Sequence, residues 1–128
     1  VTRAGAVDST SDKVNGIEPE ERLRYRSQFE AAYNDGRRLI CRLFVGFVIF
    51  RPDGPFRFGV VASRRVGGAV RRNRAKRLLR EVFRRNKPKA SVSGDLVLVA
   101  RAPIVRARYG DVEADFAKSI GRFLETGS

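Results

Sequence analysis

The chain has no histidine, no methionine, no tryptophan and a single cysteine, Cys41, among its 128 residues. Without histidine the usual acid or base of neutral-pH catalysis is missing. One cysteine excludes a disulfide, and with no histidine it also excludes a Cys/His nucleophilic pair and a zinc-finger ligand set. No apolar run approaches the roughly 18 residues of a membrane span. Leu39 to Phe50 comes nearest, but Arg42 and Gly46 interrupt it and it reads as strand. No basic stretch followed by an apolar core and a small-residue cleavage site opens the chain, so no secretory signal is visible. These gaps point to a cytoplasmic protein with no membrane partner. Cys41, set among apolar strand formers, is expected to be a packed and unreactive thiol. With 42% apolar residues the chain has enough for one modest core.

What is present is positive charge, and it is local. The net charge is +13 and the isoelectric point near 11.3, which calls for a polyanionic partner, RNA or DNA before an anionic membrane. Arg57 through Lys89 holds thirteen bases against one acid, Glu81, and so carries twelve of the thirteen net charges. Charge concentrated in this way marks a face that follows phosphates. Ten of those bases are arginine, which favours bidentate phosphate contacts and stacking on splayed bases, and hence structured RNA.

Residues 1–21 carry five acids and two bases with few apolar positions and are expected to form a mobile arm, leaving 22–128 as one domain. The fold should begin near Pro19. Leu23, Phe29, Ala32 and Tyr33 describe a short amphipathic helix that stops at Asn34-Asp35-Gly36. Leu39 to Phe50 follows as a strand, Arg51-Pro52-Asp53-Gly54 as a turn, and Phe56 to Ser63 as the returning arm of a hairpin. After Gly67-Gly68, the residues Ala75, Leu78, Leu79, Val82 and Phe83 repeat at helical spacing, while Asn73, Arg77, Arg80 and Arg84 form a ladder on the opposite side, beside Lys76. Pro88 and the Ser91 to Gly94 stretch end that helix. Leu96 to Ala100 reads as a central strand closed by Arg101-Ala102-Pro103. Val112, Phe116, Ile120, Phe123 and Leu124 mark a last helix, with Asp111 as its N-cap. The order is helix, two or three strands, helix, strand, helix.

Two features are chemically informative beside the ladder. Asn73 is the neutral polar residue inside the Arg71 to Arg74 cluster, and its amide has two uses that stay open, satisfying a backbone group at the helix start or reading a base edge or phosphate. Most of the nine phenylalanines are expected in the core. Phe29, Tyr33 and Phe47 are the expected exceptions, because partly exposed rings on a sheet next to basic groups stack single-stranded bases.

The string FGVVASRRVGGAVRRNRAKRLLREVF, Phe58 to Phe83, resembles the signature of the bacterial ribonuclease P protein family, with Arg72-Asn73-Arg74 as its core. Arg22 to Arg37 looks like that family's first helix, and Leu96 to Pro103 like its later strand, so the likeness runs from about 22 to 124. It implies an α/β two-layer sandwich similar to domain 2 of ribosomal protein S5, in the order α-β-β-β-α-β-α. A left-handed crossover would be eased by positive φ at Gly67 and Gly68. It implies partnership with a catalytic RNA and precursor tRNA. The RNA subunit would hold Mg²⁺ and cleave the 5′ leader, with no cofactor and no catalytic residue in the protein. Arg64, Arg65, Arg71, Arg72, Asn73, Arg74, Lys76, Arg77 and Arg80 would face the catalytic RNA. Phe29, Tyr33, Phe47 and, more weakly, Arg57 would line a cleft for the leader.

The acidic balance of residues 1–21 departs from the basic N-terminal segment common in that family, so no role carries over to it. Two other readings fit the charge: a ribosome-associated clamp on rRNA, and a DNA-compacting protein. Neither accounts for the ordered likeness from Phe29 to Pro103.

Overall fold

The computed structural model describes residues 19–89 and 91–126. The expected arm lies outside the described residues, apart from Pro19–Glu21, a single 3-10 turn whose Glu21 meets Lys87 at 3.0 Å. There follow α1 (Arg26–Asp35), β1 (Arg37–Ile40), β2 (Phe44–Phe50), β3 (Arg57–Val61), α2 (Ala69–Arg85) and β4 (Gly94–Ala100). A 3-10 segment, Ala102–Arg106, leads to the C-terminal helix, built of α3 (Tyr109–Phe116), a π turn (Ala117–Gly121) and α4 (Arg122–Thr126). No helix among the described residues is long and apolar enough to cross a membrane.

The sheet is mixed, in the order β1-β2-β4-β3. β2 runs antiparallel to β1 and β4, and β3 runs parallel to β4. This corrects the expected hairpin of β2 with β3, because β4 lies between them. Leu96, Val97 and Leu98 are apolar on both faces and fully buried, and a strand of that kind needs a neighbour on each side. The Arg51 to Phe56 stretch is therefore a bridge across β4. Arg51 braces it, donating to the Asp53 and Pro55 carbonyls and to Asp95.

Three further corrections follow from local physics. The first helix starts at Arg26 and does not include Leu23, because Arg22 and Leu23 run beside β3, with the Leu23 N–H donating to the Phe58 carbonyl at 2.9 Å. The Gln28 side chain then accepts the N–H groups of Arg24 and Tyr25, at 2.7 and 2.9 Å, at the helix start. The single strand expected from Leu39 to Phe50 is two, folded at Cys41-Arg42-Leu43, where Cys41 N–H donates to the Phe44 carbonyl. Asp111 is the third residue of its helix and not the N-cap; its carboxylate accepts the Arg108 N–H at 3.0 Å.

Sheet width decides how the faces are covered. Four strands about 4.8 Å apart make a surface that one helix of roughly 10 Å diameter covers only in part. On one face α2 and the C-terminal helix lie together, and Phe44, Val48, Phe58, Leu96 and Leu98 pack with Leu79, Phe83, Phe116 and Ile120 in the main core. Phe58 and Phe83 stack there with ring centres 4.1 Å apart. On the other face α1 stands alone, and Leu23, Phe29 and Ala32 close over Val97 in a small second cluster. The expected two layers are thus a sheet with helices on both faces, one sealed and one half covered.

Candidate nucleic-acid interface

The basic face is centred on α2 and the loop before it. Gly67 has φ of 141°, where L side chains are strained, so the chain turns there into the helix. Gly68 is in an ordinary extended conformation at φ −72°. Arg64, Arg65, Arg71, Asn73, Arg74 and Arg77 are exposed, while Arg72, Lys76 and Arg80 are half-buried.

The two arginines of the Arg72-Asn73-Arg74 core have backbone partners. Arg72 Nη1 donates to the Gly67 carbonyl at 3.0 Å, closing the loop onto the helix. Arg74 forks across to the 3-10 segment, donating to the Ala107 carbonyl at 2.8 Å, with Ile104 and Val105 carbonyls at 3.5 Å. The guanidinium fork matches carbonyls left over at a helix end. Asn73 stands exposed between them, and among the described residues its amide takes no partner. Of its two open uses, the first is not seen.

The ladder is shorter than its spacing suggests. Glu81 accepts from Arg84 Nε at 3.0 Å and from Arg85 Nε at 2.8 Å. Hydrogen bonding by Arg84 first, then by Arg85, holds the Glu81 carboxyl below the usual range. Leu78, assigned to the apolar stripe, is only half-buried and lies at a groove between α2 and Tyr109.

The second surface is the uncovered half of the sheet. Tyr33, Arg38, Ile40, Val45, Phe47, Val99 and Arg101 line a cleft of about 400 Å³. Register explains the grouping: Arg38 faces Phe47 and Ile40 faces Val45, so all four point to the side that α1 leaves open. Tyr33 meets Phe47 edge to face, with centres 5.0 Å apart. Tyr33 is 39% exposed, and burial of the rest pushes its phenol above the ordinary value. Arg101 is held at the rim by donating to the Cys41 carbonyl at 2.7 Å. Cys41 itself packs with its Sγ 3.0 Å from Ser119 Oγ, and burial raises its pKa, so the thiol stays protonated.

Two expected members are elsewhere. Phe29 is only 8% exposed and lies over Gly59, where a Cβ would fall 2.7 Å from its ring; it is packed, not an open stacking face. Arg57 grips Asp95 through Nε and Nη2, at 2.8 and 2.9 Å, and lies outside the cleft lining. Ile40, Val45, Val99, Arg38 and Arg101 were not singled out from the sequence. Strand alternation places Val45 with Phe47, but the β1–β2 fold that brings in Arg38 and Ile40 has no strong turn signal. Among the described residues no group of three or more Asp, Glu, Cys or His is placed to hold a metal.

Comparison with known proteins gives one family. The family model described as Ribonuclease P matches residues 17–124. The ribonuclease P protein component of Syntrophus aciditrophicus is 36% identical over 97 residues, covering 75% of this chain and 81% of that protein. Its counterpart from Desulfovibrio desulfuricans is 39% identical over 105 residues, covering 80% and 77%. Among solved structures, the ribonuclease P protein of Thermotoga maritima superposes with a TM-score of 0.67 at 32% identity, covering 77% of this chain and 93% of that one. That of Staphylococcus aureus gives 0.71 at 25% identity, covering 80% and 94%.

Proposed function

The chain belongs to the ribonuclease P protein family, and on that premise we propose how its two surfaces divide the work of a ribonuclease P protein component. The basic face around α2 binds the catalytic RNA, with Arg64, Arg65, Arg71, Asn73, Arg77 and their neighbours Lys76 and Arg80 as the contact set. Arg72 acts from behind it, through the Gly67 carbonyl it holds, and Arg74, itself exposed, acts through the Ala107 carbonyl it holds. The half-open sheet face takes the single-stranded 5′ leader of precursor tRNA, with Phe47 and Tyr33 as the stacking pair and Arg38 and Arg101 beside them for phosphates. Phe29 supports that surface from within the α1 cluster, and Arg57 braces the sheet through Asp95.

In this reading hydrolysis belongs to the RNA subunit and its Mg²⁺. The protein holds the leader extended so that the scissile phosphate rests at that centre, which favours precursor over mature tRNA. The site of action is the cytoplasm. The parallel β3–α2–β4 connection is the left-handed crossover of a fold like domain 2 of ribosomal protein S5. What carries the reading is the coincidence, within the matched span, of a cation-rich helix and an aromatic cleft on the half-covered sheet face.

Reconstitution tests it. Purified protein is mixed with a bacterial ribonuclease P RNA at near-physiological Mg²⁺, and 5′ cleavage of a precursor tRNA is followed, with each component alone as control. Cleavage that requires both is the expected result. Binding without gain in cleavage, on RNA from the source organism, would favour an rRNA clamp.

A further inference from the structure

We propose that the groove between α2 and the C-terminal helix is a slot for one unstacked nucleotide of the RNA partner, separate from the leader cleft. The inference rests on the family reading above for the presence of an RNA. The groove encloses about 490 Å³ and is lined by Arg74, Arg77, Leu78, Glu81, Arg85 and Tyr109. It belongs to the helical layer on the sealed side of the sheet, whereas the leader cleft opens on the other side.

Three properties of the lining select a nucleotide. First, the field is positive: three guanidinium groups face one carboxylate, and Glu81 is already engaged by Arg84 and Arg85. Second, Leu78 and the part of the Tyr109 ring that Arg85 leaves uncovered supply an apolar surface against which a base packs. Third, the walls are set in advance. The Arg85 guanidinium lies over the Tyr109 ring at 5.0 Å, and the Tyr109 hydroxyl donates to Glu113 at 3.0 Å. Glu113 also accepts from Asn86, which donates in turn to the Val82 carbonyl, so the ring is tied to the end of α2. Arg74 is pinned to the 3-10 segment. Arg77, exposed and without an ion pair among the described residues, is left to take the phosphate. Duplex RNA keeps its bases inside the stack, so the occupant is a base turned out of a loop or bulge.

Ultraviolet cross-linking of the full chain to a bacterial ribonuclease P RNA, followed by digestion, locates the contact. The expected product joins one nucleotide to the tryptic peptide Tyr109 to Lys118. Removing the base of that nucleotide should weaken binding on the order of ten-fold. The same RNA should show no further loss with Tyr109→Leu, whereas Tyr109→Phe should bind as the unaltered protein does. Cross-links confined to α2 peptides, or equal affinity for intact and abasic RNA, would overturn the slot while leaving the family reading in place. Failure of the unaltered protein to bind the RNA at all would remove the reading on which the slot depends. The abasic comparison needs no variant, so a poorly folding Tyr109→Leu does not decide the matter.

Discussion

The two faces of the sheet are made from similar apolar residues and differ in what lies over them. Under α2 and the C-terminal helix the rings of Phe44, Phe58, Phe83 and Phe116 are sealed. Under α1 the cover stops short, and Phe47 and Tyr33 meet at the edge of a cleft. A ring on the sealed face contributes stability, and a ring on the open face contributes little stability and is available to a ligand. The difference is one of geometry, one helix against two over four strands, rather than of residue type.

The sharpest way to break this comparison is to truncate one ring on each face. Phe83→Ala should cost about 3–5 kcal/mol in a denaturant melt, and Phe47→Ala less than about 1.5 kcal/mol. Equal losses would make the open face part of the core. On function the order should reverse. Phe47→Ala should leave RNA assembly intact and reduce the preference for leader-bearing over leaderless tRNA by about 1–3 kcal/mol, the value of one stacked base, measured as a ratio of binding constants.

A finer test separates arginines that touch phosphate from arginines that hold backbone. Arg77→Ala should reduce the slope of log affinity against log salt by roughly 0.7–0.9. Arg74→Ala should lower the melting temperature and weaken binding while leaving that slope nearly unchanged; a full loss of slope there would make Arg74 a direct contact. The smallest effect is expected from acid. Glu81 is held ionised by Arg84 and Arg85, so its folded pKa lies below its unfolded one. The stability it lends is present above the unfolded value and is lost as pH falls through the folded value. Glu81→Gln should remove that acid dependence in a pH series of thermal melts, by a small lowering of the melting point at neutral pH and no change once the pH is below the folded value.

The sequence made the basic helix legible because its signal is one-dimensional: Ala75, Leu79, Val82 and Phe83 at helical spacing, charges between them. Leu96 to Leu98 announced a central strand for the same reason. What it hid depends on contacts far apart in the chain. The expected hairpin failed because β4, about 50 residues away, inserts beside β2. Phe29 and Phe47 look alike in sequence, and only the position of α1 over Gly59 and Val97 makes one buried and the other open. That Arg74 serves Ala107 was equally hidden, since thirty-odd residues separate them.

The parallel pairing of β3 with β4 is closed through α2, and this ties the order of folding to ionic conditions. A parallel pair needs a long crossover to be organised before its strands can meet, and here that crossover is the most self-repelling stretch of the chain. Its like charges at successive turns oppose helix formation, and anions that screen them favour the crossover. Anions that relieve this repulsion in the free protein are the same species that compete for its RNA surface. A new chain therefore gains from a crowded anionic environment while folding, and meets it as a competitor once folded.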